Sequence, residues 1–200
     1  MSINVCNDRS MASITSLPSG VSGGSLVLIS TLTADGSGTT ITFDSDIDST
    51  YSEYIFKYIN VHPATNGAGL FVNFRDGSTA YDATKTTTFF VAEQRESDST
   101  GFTYDTGSDL AQSTSAQKLT GNIGNDNDQS SAGTLHLFNP SSTTFVKHFI
   151  GVGHEYQEAD YANVNYVAGY CNVTAAIDGV QFSMSSGNMD SGTFKMYGVV

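Results

Sequence analysis

Four histidines, His62, His136, His148 and His154, are the side chains best suited to acid–base or metal work in this chain. Their spacing does not gather them. No HxH, HExxH or HxxxH pair sets two imidazoles on one face at short range. His154 and Glu155 are neighbours, so a strand sends them to opposite faces. The histidines are therefore read as separately placed polar or half-buried side chains. Cys6 and Cys171 form no CxxC pair for zinc or redox chemistry. Cys171 lies in the apolar run Tyr166–Cys171 and reads as a small buried hydrophobe. Gly20-Val21-Ser22-Gly23 approaches a nucleophile elbow but lacks its spacing. Neither a P-loop nor a dinucleotide fingerprint occurs.

Oxygen ligands cluster twice, as Asp44, Asp46 and Asp48 and as Asn125 to Asp128. Such sets suit calcium. The first set departs from an EF-hand loop, with Ser49 where glycine is needed and Ile55 where the bidentate glutamate belongs. The other reading is that these groups solvate turns and accept backbone N–H bonds. A glycosidase needs two opposed carboxylates. A chain with Asp+Glu 20 offers such pairs by chance, so they discriminate nothing. The expectation is a protein that is not an enzyme and has neither cofactor nor metal site.

Charge excludes more. Lys+Arg 8 against Asp+Glu 20 leaves a formal net charge of −12, which repels a phosphate backbone and an anionic membrane alike. Neither nucleic acid nor membrane is expected as partner. No run approaches the ~18 apolar residues of a membrane span. Nothing near the N-terminus reads as a secretory signal, so synthesis in a cytoplasm is expected. The Asn172-Val173-Thr174 sequon then carries no weight. Tyr 10 and Phe 12 supply the aromatic mass of a folded core.

The elements that must position these residues are strands. Residues 1–24 are rich in Ser and Gly and read as an extended N-terminal arm. Within the arm Ile14, Leu17 and Pro18 stand out as apolar docking points for a partner. From Ser25 to Val200 short β-branched and aromatic runs alternate with Asp-Gly and Gly-Ser punctuation. Ser52–His62 carries Tyr54, Phe56 and Tyr58 on one face and Ile55, Ile59 and Val61 on the other, a strand expected to be covered on both sides. Glu93–Asp128 is weak, with short candidates at Phe102–Tyr104 and Gln117–Thr120. Strands return at Gly133–Phe138, Thr144–Gly153, Asn163–Cys171, Gly179–Met184 and Thr193–Val199. About nine or ten strands at ~8–12-residue spacing, with no helical stripe, predict an all-β, jelly-roll-like antiparallel sandwich over 25–200.

Several phrases carry a resemblance: Tyr54–Pro63 (YIFKYINVHP), Gly124–Gln129, Gly133–Pro140, Thr144–Ile150, Ile177–Asn188 and Gly192–Val199 (GTFKMYGV). Together they resemble small virion structural proteins of tailed, marine-type bacteriophages, over about residues 25–200. The resemblance implies a place in the virion and offers no catalytic motif. The reading that follows is a capsid decoration (cement) protein on the head exterior. It would be a homotrimer bridging capsomers, with the phage major capsid protein or other virion proteins as partners and the arm as staple. The alternative is a tail appendage, fibre or baseplate, whose polar loops Ser97–Asp109 and Asn122–Ser131 meet the host surface.

Overall fold

The computed structural model describes residues 25–200. The arm, with Ile14, Leu17 and Pro18, lies outside the described residues. Twelve strands run in chain order as β1 Leu26–Ala34, β2 Thr40–Phe43, β3 Glu53–Pro63, β4 Leu70–Arg75, β5 Lys85–Arg95 and β6 Thr100–Tyr104, then β7 Gln117–Lys118, β8 Ser131–Phe138, β9 Lys147–Gln157, β10 Tyr161–Cys171, β11 Gly179–Met184 and β12 Met189–Val199. No helix occurs among the described residues. The two strands beyond the expected number, β6 and β7, come from the weak stretch.

Every pairing is antiparallel. An eight-stranded sheet has the order β1-β12-β3-β8-β9-β10-β5-β6, and a four-stranded sheet the order β2-β11-β4-β7. They pack as a sandwich around aromatic side chains. Phe56, Tyr58 and Phe194 of the large sheet meet Phe43 and Phe182 of the small one, with Phe182–Phe194 centroids 5.1 Å apart and Phe43–Phe56 5.4 Å. Phe74 and Phe149 close the next layer at 4.9 Å. All seven rings are buried, and burial of such rings is the main source of stability here.

One strand departs from simple alternation. Tyr54, Phe56 and Tyr58 face the core as the period of two requires, but so does Val61, which alternation places on the opposite face. The cause is a bulge. The pairing of β3 with β8 shifts register between Tyr58 and Val61, and Asn60 takes a left-handed φ of 51°. Opposite it Gly192, at φ 146°, comes so close to Val61 that an added Cβ would lie 3.1 Å from the Val61 Cα. The extra residue re-aims the strand and sends Val61 inward. The expected cover on two sides of this strand is also missing among the described residues: Ile59 stays 40 % exposed.

The sheets differ in width, and this positions everything that follows. The small sheet ends at β7, two residues long. Beyond it the inner faces of β9, β10, β5 and β6 are roofed partly by loop, from Asp105 to Asn122.

Candidate functional site

The first candidate surface is the outer face of the large sheet. Register sets its rows. One runs Tyr104, Phe90, Tyr166, Val152 across β6, β5, β10 and β9. Another runs Ala168, Ile150, His136, Ile55, Tyr197, Leu28 from β10 to β1. Phe90 stacks on Tyr166 at 4.9 Å, and Phe102 packs on Phe90 at 5.6 Å. Yet Phe102 is 73 % exposed, Leu28 52 % and Ile150 48 %. Of the chain's Asp+Glu 20, the outward positions of β3, β8, β9 and β10 hold one, Glu53, taken up by His136 at 2.6 Å. Lys57 and Lys195 stand directly opposite each other, with Lys57 over the Tyr197 ring at 5.4 Å. An acidic protein thus presents one broad face that is apolar, aromatic and weakly basic.

The second is a polar cleft of about 240 Å³ under the overhang of the large sheet. The β9–β10 hairpin builds its floor. Its turn closes with the Asp160 N–H on the Gln157 carbonyl at 3.0 Å, and Asp160 itself is left-handed, φ 65°. That register sets Glu155 opposite Asn163, Asn163 opposite Glu93, and Glu93 opposite Gly101. The next row is Gly153, Asn165, Val91 and Thr103. Gly153 is required by close approach, since a Cβ there would lie 2.4 Å from the Tyr58 hydroxyl and 2.9 Å from the Leu119 carbonyl.

Glu155 is fully buried. Asn163 donates Nδ2–H to its Oε1 at 3.3 Å, Asn165 donates Nδ2–H to its Oε2, and the Gly121 backbone N–H donates as well. Burial outweighs these bonds and pushes the carboxyl up to about 7. Among the described residues no cation approaches it closely enough for an ion pair. Lys118 lines the cleft wall near Ser108, 3.4 Å away, and Asp105 sits below the usual carboxylate range because Ser108 donates to it at 2.5 Å. Asn163, 9 % exposed, keeps an Oδ1 with no partner.

Of the residues singled out from sequence, the strand histidines are not paired with one another, and His62 alone among the histidines meets an oxygen cluster. His62 lies by the Asp126 carbonyl at 3.2 Å, His136 by Glu53, His148 edge-on to Tyr170 at 6.2 Å, and His154 on the outer face. Asp48 braces its own loop, accepting from the Thr50 N–H at 2.7 Å and the Tyr54 hydroxyl at 3.1 Å. The Asp126 N–H is held by Gln129 Oε1 at 3.0 Å. No group of three His, Cys, Asp or Glu gathers as a metal site among the described residues. Cys171 is buried as expected, its thiol pushed up to about 12 by desolvation. It pairs in register with Lys85 and Lys147, both fully buried. Lys147 donates to the carbonyls of Val173 and Ala175, and Lys85 to Asn73 and the Ala83 carbonyl. These lysines tie loops to strand ends, and desolvation lowers Lys85 to about 8.

Sequence reading took Glu155 only as the neighbour of His154 and passed over Asn163 and Asn165. The available signal was parity: they share the inward face with Phe149 and Val167. Comparison of the chain with protein-family models, with curated proteins and with solved structures finds no match.

Proposed function

We propose that this chain is a bacteriophage virion structural protein, a decoration subunit on the head exterior, whose wide sheet face seats against neighbouring virion proteins. The observation that supports the reading is that outer face, which no other part of residues 25–200 covers. Eight strands at ~4.8 Å spacing span roughly 34 Å, and strands of up to 11 residues run roughly 37 Å. The central part of such a face matches the ~800 Å² per partner of a stable protein interface. Exposed apolar side chains gathered on one face favour association more than scattered ones do. The weakly basic centre suits a partner bearing carboxylates, another copy of this acidic chain included. The phrases from Tyr54 to Val199 resemble phage structural proteins and support this class of assembly, with a homotrimer on the capsid as its expected form.

The test is quantitative mass spectrometry of purified particles with co-sedimentation of the protein on heads. Hundreds of copies and saturable binding to heads support decoration. Absence from particles refutes the virion reading. A few to a few dozen copies without head binding favours the tail appendage, the second reading, for which the polar cleft speaks: it is built to meet a small polar ligand rather than a flat subunit.

A further inference from the structure

We propose that the cleft beneath β9, β10, β5 and β6 binds one neutral sugar unit, a pyranose-sized polyol, through the wall formed by Glu155, Asn163 and Asn165. The inference stands wherever on a particle the chain sits. The Glu155–Asn163–Asn165 wall is preset. Asn163 donates one Nδ2–H to Glu155, and its buried Oδ1 has no partner, in a residue that lines the cleft. A buried acceptor without a donor is costly, and a ligand hydroxyl would satisfy it once the side chain turns that oxygen into the cleft.

Charge decides the ligand class. An anion would meet the carboxylates of Glu93, Asp105 and Glu155. A cation would meet the Lys118 ammonium, and no three ligating side chains converge among the described residues. An apolar ligand would strip water from the amides and carboxylates that line the walls. A neutral ligand that donates and accepts at several points suits all of them. Val91 and the Tyr161 ring add apolar contact for a sugar's C–H face. The volume of about 240 Å³ lies below the ~300–1,000 Å³ of drug-sized sites and limits the guest to one ring.

The experiment is saturation-transfer NMR on the full chain with D-glucose, D-galactose, D-mannose and N-acetyl-D-glucosamine, each as free sugar and as methyl glycoside, with glycerol as control. At least one sugar should show transfer well above glycerol. Asn163→Ala should weaken it about tenfold. Thr103→Trp, at an exposed position on the rim, should block it while leaving the fold intact. If Asn163→Ala does not fold, Thr103→Trp decides alone. Binding retained by the glycoside assigns a glycan terminus, and binding by the free sugar alone assigns a monosaccharide; either supports the site. Transfer to none of the sugars, transfer equal to glycerol, or undiminished binding in the folded variants overturns it.

Discussion

Replacing Glu155 by Gln should raise stability at neutral pH and leave it nearly unchanged in acid. The carboxyl moves from 4.5 in a solvated chain to about 7 when folded. At 1.36 kcal/mol for each tenfold change in proton affinity, the difference is about 3 kcal/mol. Its sign follows from a folded value above the unfolded one. Below pH 4.5 the group is protonated in both states and adds no penalty. As pH rises from 4.5 to about 7 the unfolded chain loses the proton first, so stability falls; above about 7 the whole cost is present. A glutamine at this position would carry no such cost. Its amide can be accommodated, because Asn163 can turn its free Oδ1 toward it. For a domain of this size 1 kcal/mol moves Tm by about 2–4 °C, so the variant should melt about 6–12 °C above the native chain at pH 8 and within a few degrees of it at pH 4. Thermal unfolding of both proteins across that range is the assay, and the quantity read is the difference between them, which cancels the other titrating groups. A difference that stays flat with pH would refute the placement of an ionisable, desolvated carboxyl at this position.

Tyr58→Phe should raise Tm slightly, by the equivalent of about 1 kcal/mol, because its buried hydroxyl has no hydrogen-bond partner; a lower Tm would show that the hydroxyl is satisfied in solution. Phe102→Ser with Ile150→Asp should leave the melting of the isolated chain within about 0.5 kcal/mol, since both side chains are exposed, while reducing co-sedimentation with heads; unchanged co-sedimentation would exclude this face from attachment. In a Cys6→Ser background Cys171 should resist a thiol reagent until denaturant unfolds the chain, because it is buried and its thiol is held near 12; prompt labelling in native buffer would contradict that burial. Lys147→Met should destabilise by about 1–3 kcal/mol, since the carbonyls of Val173 and Ala175 lose their donor; this is read as a shift of the urea midpoint.

The strands were legible because alternation and turn chemistry are local. Ser52–His62 and Gly179–Met184 carry their apolar faces openly, and β3 and β11 form there. What is not local was hidden. Val61 turns inward through a bulge that depends on the left-handed Asn60 and on Gly192 from a strand far along the chain. Glu155 was visible only as the neighbour of His154. Its meaning arises where Asn163, Asn165 and the Gly121 N–H converge on it, and Gly121 comes from a loop that pattern alone cannot place. Lys85 and Lys147 share the inward parity of Phe89 and Phe149, but hydropathy argues against putting lysine there. Only the free carbonyls at the strand ends explain it.

Both candidate surfaces follow from one inequality, eight strands facing four. A sheet wider than its partner cannot cover its own inner face, and the uncovered margin, lined by Glu93, Asn163 and Thr103, becomes the cleft. The same width leaves the outer face as a continuous plane with no second layer from residues 25–200. Alternation in β3 predicts cover on both sides because Ile55 and Ile59 are as apolar as Tyr54 and Phe56. Among the described residues that cover is missing, yet the residues that prompted the prediction remain, along with Phe102, Ile150 and Leu28. Isolated exposed side chains on a monomer need no special cause. A register row with apolar residues on five of its six strands does, and a partner seated on that plane would supply the cover that this pattern calls for.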